Sequence, residues 1–127
     1  MKKVLFALAI FCGLSGRAYA HHSFAAAYDQ HAKPVVVKGQ VVNLLFRSPH
    51  SFVHIEAPDE NGQMQRWAFE WAGITRLERA GITRQTLKPG DEVIVTGTPA
   101  RNPTERRLLV QKIERPSDGW KWSGAVE

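Results

Sequence analysis

Cysteine is almost absent. The chain of 127 residues has one, Cys12, and it lies inside an apolar N-terminal run. If that run is removed, no disulfide, thiol catalyst or thiolate metal site can be built from the rest. Long apolar spans are lacking too. Residues 4–14 are apolar almost without a break, but a bilayer-spanning helix needs about 20 such residues. With a mean hydropathy of -0.29, a polytopic membrane protein is excluded. Catalytic signatures are also missing. There is no GxSxG elbow, P-loop, Rossmann glycine set or HExxH. Ser23 beside His22 is not a triad, because adjacency in sequence does not deliver a base to a hydroxyl. What is present is 43% hydrophobic residues, enough for one packed core and too short a chain for two.

The first residues have the three-part order of a secretory signal peptide. Lys2 and Lys3 form a basic start, the apolar run follows, and Ala18-Tyr19-Ala20 is a small-x-small cleavage site. The expectation is cleavage after Ala20, with an uncleaved N-terminal anchor as the alternative. Bulky Phe11 before Cys12 argues against lipid attachment there. Cleavage removes Lys2, Lys3 and Arg17 and leaves every acid, so the formal charge falls from +5 to about +2. A periplasmic or secreted protein at that charge does not suit nucleic acid. No stable membrane span is expected once the signal is gone.

The expected mature chain reads as a β protein. Residues 21–34 are an N-terminal arm with weak periodicity. Residues 35–46 are rich in β-branched side chains, with a bend or bulge expected at Gly39. Ser48-Pro49 breaks that strand. Residues 50–57 and 64–71 form the second and third, joined by a two-residue Asn61-Gly62 hairpin turn. Thr75 and Glu78 have the spacing of a capping box for a short helix, with Ile74 and Leu77 as its apolar edge and Gly81 as its stop. On that helix Arg76, Arg79 and Arg84 mark the wet side. Residues 93–97 and 108–113 are the fourth and fifth strands. The tail from Pro116 is polar apart from Trp120 and Trp122, and is expected to dock only loosely. The domain itself spans residues 35–115, and the tail 116–127. Five strands with a helix between the third and fourth is the element order of a small OB-fold-like barrel, all-β with one short helix. A β-sandwich, the runner-up, wants about seven strands and no helix.

After the expected cleavage site the chain begins His21-His22-Ser23-Phe24. Further on come Pro49-His50, Trp67-Ala68-x-Glu70 and Leu87-Lys88-Pro89-Gly90-Asp91-x-Val93-x-Val95-x-Gly97. In these motifs the chain resembles an uncharacterised family of small secreted bacterial proteins, defined only as a domain of unknown function. The likeness runs through nearly all of the mature chain. It departs at Ser48, where the family usually has Asn, and after Glu70, where Trp71-Ala72-Gly73 replaces a Gly-rich stretch. The resemblance implies export and an OB-like barrel. It implies no activity.

The histidines carry the sharper functional expectation. Cleavage after Ala20 would give His21 a free α-amine beside its ring nitrogen, two donors that can close a chelate. Their reference pKa values, about 7.7–8.0 and 6.5, let both lose a proton near neutral pH. Nitrogen donors without thiolate favour copper or zinc. His22 adds a ring, and His50, after Pro49 at a strand start, is the best third donor. The expectation is a non-catalytic protein that binds copper or another transition metal through His21, His22 and His50. The plain alternative is a solvated arm and a hydrogen-bonded surface histidine. An amine-plus-imidazole chelate also occurs in copper oxygenases, but nothing else here points to that chemistry. His31, beside Lys33-Pro34, reads as solvated.

A rival expectation needs no metal. Arg47, Phe52, Trp67, Trp71, Arg101 and Arg106, with Arg107, would share a face able to grip a peptide, a glycan fragment or a periplasmic protein partner. The alternative is that Trp67, Phe69 and Trp71 fill one end of the barrel. A two-residue turn would also pair His54 with Phe69 among aromatic neighbours. It would pair Glu70 with Val53, on the face opposite His54. A slip of one residue would reverse this.

Overall fold

The structure, a computed structural model, describes residues 23–126. The expected signal peptide, His21 and His22 lie outside the described residues. Residues 23–27 form a helical turn, α1. The strands are β1 (Val35–Leu45), β2 (Ser51–Pro58), β3 (Met64–Trp71), β4 (Glu92–Pro99), β5 (Arg107–Arg115) and β6 (Trp120–Ser123), and the helix α2 (Ile74–Arg79) joins β3 to β4. The sheet order is β3-β2-β1-β4-β5-β6, and a parallel β3–β5 pairing closes the first five strands into a barrel. This is the five-stranded OB-like architecture expected from the element order. Closure removes most of the strand edges that an open sheet would expose.

Period-two alternation drives this arrangement. In β2, Ser51, Val53, Ile55 and Ala57 are buried while the residues between them are partly exposed. Val93 and Val95 of β4 and Leu108, Val110 and Ile113 of β5 point into the same core. So do Phe69 and Trp71 of β3. Each such side chain stabilises the fold by about 1.5–3 kcal/mol on burial.

β1 turns the corner of the barrel. Its first half pairs with β4 from Val35 to Gln40, and its second half with β2 from Gln40 to Leu45. The register shift lies between Val41 and Asn43, not at Gly39. Gly39 serves a different need. A Cβ there would lie 2.3 Å from the Glu56 carbonyl oxygen, so only glycine lets β2 approach so closely.

Three local expectations are corrected. First, the β2–β3 connection is a three-residue loop, residues 60–62, closed by Gly62 N–H to Asp59 O at 2.9 Å and Asp59 N–H to Gln63 O at 2.8 Å. Gly62 takes φ +77°, the left-handed residue of a turn with a G1 bulge. The Asp59 carboxylate accepts the Asn61 and Gln63 N–H groups and secures that loop. Register therefore slips by one: Phe52 pairs with Glu70, Val53 with Phe69 and His54 with Ala68. Second, no capping box forms. Gly73 is the N-cap of α2 and no side chain caps it. The C-terminal stop at Gly81 does form. Gly81 N–H reaches Glu78 O at 2.9 Å and Ile82 N–H reaches Leu77 O at 2.9 Å, with Leu77 and Ile82 both buried. Arg76, Arg79 and Arg84 are exposed, as expected. Third, the tail is an integral strand. β6 pairs with β5, Trp122 meets Trp71 edge-on at 5.2 Å, and Val126 is buried.

Candidate functional site

The corrected register decides where Glu70 sits. It shares the outer face of the sheet with Phe52, so an acid there would ordinarily face water. Glu70 is nevertheless only 5% exposed. The cover is the N-terminal segment, which is docked rather than loose. Tyr28 N–H closes α1 on Phe24 O at 2.8 Å, and Tyr28 forms a β-bridge with Ala100. Asp29 N–H bonds Pro99 O at 2.9 Å, and Arg101 N–H bonds Ala27 O at 3.0 Å. The Arg101 guanidinium adds a bond to Ala25 O. Phe24 and Tyr28 are both buried by this docking.

A buried carboxylate needs partners, and Glu70 has three. Its Oε2 accepts from the Tyr28 hydroxyl at 2.5 Å and from Arg107 Nη2 at 2.6 Å. Its Oε1 lies 2.8 Å from His50 Nδ1. Arg107 Nε also donates to the Tyr28 oxygen at 2.7 Å, so Tyr28, Glu70 and Arg107 form a closed triangle. Burial, then the Glu70 carboxylate, pushes the Tyr28 hydroxyl far above its usual range, so it stays a donor. Burial opposes the Arg107 charge. The hydrogen bonds to Glu70 and Tyr28, with the Glu70 charge, outweigh it and raise the guanidinium above the ordinary arginine value.

His50 is presented by the β1–β2 loop. Ser51 pins that loop: its Oγ accepts from Arg47 N–H at 3.1 Å and donates to Arg47 O at 3.0 Å. Ser51 N–H bonds Ala72 O at 3.2 Å. Gly73 leaves room for the Pro49 carbonyl, which would meet a Cβ at 2.5 Å. The Ser48–Pro49 peptide is cis. The His50 ring packs on Phe24 at 4.9 Å between centroids. If Nδ1–H donates to the Glu70 carboxylate, Nε2 carries the free lone pair, the arrangement in which imidazole binds a metal. Among the described residues no three His, Cys, Asp or Glu side chains are grouped to hold an ion. The other two expected donors, His21 and His22, lie outside the described residues.

Of the expected aromatic and arginine face, Trp71 does not lie at the surface. Trp71 is fully buried inside the barrel, because the slipped register turns it away from Phe52. Phe52 lies outside, with Arg47 at 5.3 Å and Arg107 at 5.6 Å over its ring. Arg101 is engaged with the N-terminal segment. Trp67 and Arg106 line an open groove of about 700 Å³ at the far end of β2. His54 is half-buried on the outer face, and burial, then Arg66 and Arg47, lowers its pKa. His31 is exposed, as expected. The sequence reading missed Tyr28 and the role of Arg107, since Tyr28 and Glu70 are 42 positions apart. Only the Trp67-Ala68-x-Glu70 motif hinted that Glu70 mattered.

No curated protein matches this chain. Residues 9–108 match a family of unknown function, DUF6152. That stretch holds the N-terminal segment, His50, Glu70 and Arg107, and the chain belongs to this family of unknown function.

Proposed function

We propose that this is an exported, non-catalytic protein that binds a copper or zinc ion through the His21 amine and ring, His22 and His50. The observation that carries this reading is the Glu70 Oε1 to His50 Nδ1 contact at 2.8 Å. A carboxylate on one ring nitrogen sets the tautomer and orients the ring, leaving the other nitrogen for a ligand bond. Chain connectivity supports it. His22 is two peptide links from Phe24, about 7–8 Å of chain at most, and the Phe24 ring touches His50. Chain length therefore permits His22 to serve beside His50. Tyr28 and Arg107 hold Glu70 from its other oxygen and keep the carboxylate where His50 needs it.

The test begins with mass spectrometry of the exported product, which should start at His21. Cu(II) is then titrated into that protein, into a form with one extra residue before His21, and into His50→Ala. The extension removes the chelating amine and the substitution removes the third ring, so both should weaken binding clearly. Glu70→Gln should weaken it by about tenfold, as loss of a partner to a ligand histidine does. Equal affinity in the native and extended forms would overturn the reading, as would a product that begins elsewhere.

A further inference from the structure

The groove at the far end of β2 lies along an unpaired strand edge. β1 is paired on both sides only at Gln40, since Val35–Gln40 uses β4 and Gln40–Leu45 uses β2. In an antiparallel ladder, alternate residues aim their N–H and C=O at the same neighbour. Two of the four residues from Val35 to Lys38 therefore point a donor and an acceptor away from β4, towards the gap beside Pro58. Nothing among the described strands fills that gap. Val36, on this segment, is 62% exposed, one of two large hydrophobics so exposed among the described residues. Trp67, half-buried, also lines the groove, and Pro103 to Arg106 close it on another side.

Charge narrows what fits. Lys38 is ion-paired with Glu92 at 3.2 Å. The Asp59 carboxylate is taken up by its own loop and by Gln65. Glu60 and Glu105 enter no ion pair among the described residues, and Arg106 is the one other cation on the lining. The rim is net negative, although the expected mature chain is net positive. An indole face and two carboxylates favour a cation, and a free edge favours an extended backbone.

We propose that Val35–Lys38 accepts an extended peptide by strand addition, one with apolar residues at alternate positions and basic residues between them. This rests on the β1 edge and not on the metal site. The probe is an acetylated, amidated heptapeptide of alternating valine and lysine, added to the isotope-labelled protein and followed by amide NMR. Shifts should gather at residues 35–38 and at the Trp67 indole. Glu60→Lys with Glu105→Lys should weaken binding by about tenfold. Methylating alternate peptide nitrogens should abolish binding, because it removes the donors that reach the edge. Shifts that map elsewhere, or no shifts at millimolar peptide, would overturn the proposal. So would equal affinity for a valine–glutamate peptide. A concentration-dependent dimer burying these same amides would overturn it too, since the occupant would then be a second copy.

Discussion

Glu70 Oε1 lies 2.8 Å from His50 Nδ1, and that contact ties the β1–β2 loop to the outer face of β3. The other carboxylate oxygen ties β3 to the N-terminal segment and to β5. One acid therefore holds three parts of the chain. Glu70→Ala should cost about 2–3 kcal/mol, below the full value for a broken buried pair because Arg107 is one-third exposed. Tyr28→Phe should cost about 1–2 kcal/mol, since Arg107 and Glu70 each lose a partner. Urea midpoints measure both. Wild-type midpoints would mean that the cluster does not hold the segment down.

Gly39 and Gly62 should respond differently to alanine. At Gly39 the new Cβ meets a backbone carbonyl at 2.3 Å, and β2 must move. That should cost about 2–3 kcal/mol. At Gly62 the space is open and only the positive φ is strained, so about 1 kcal/mol is expected. Thermal unfolding of the two variants reads the order directly.

The C-terminal strand should be worth measurable stability. Trp122→Ala removes the edge contact to Trp71 and should cost about 1–2 kcal/mol. Urea midpoints of Trp122→Ala and wild type measure it. An unchanged midpoint would show that the Trp122 contact adds nothing to the core.

His54 makes stability depend on mild acid. Burial, then Arg66 and Arg47, lowers its folded pKa below the ordinary 6.5. The unfolded chain then binds the proton more readily, so the stability from neutral His54 is present above pH 6.5 and lost as pH falls through the folded pKa. Replacing His54 with Gln should flatten that loss. Urea midpoints from pH 7.5 to 5 test it, and identical pH profiles would refute the assignment.

Local pattern carried much of this fold. Alternation in residues 64–71 is a property of neighbours, and β3 occupies that same range. Gly81 could be read as a helix stop because a left-handed residue is needed there whatever surrounds it. The β2–β3 register was less legible. Asn61-Gly62 suits a two-residue turn, but the Asp59 carboxylate stabilises a longer loop, and a slip of one residue turns every side chain over. That slip put Trp71 in the core and Glu70 outside.

The amino-acid order alone determined strand periodicity, the helix between the third and fourth strands, and the barrel these favour, because each depends on contacts a few residues apart. Only the tertiary structure decided that Tyr28, His50, Glu70 and Arg107 meet. Their meeting depends on barrel closure between β3 and β5 and on an N-terminal segment folded back over the sheet. No local spacing encodes it, since the partners lie as far apart as Arg107 and Tyr28, 79 positions along the chain.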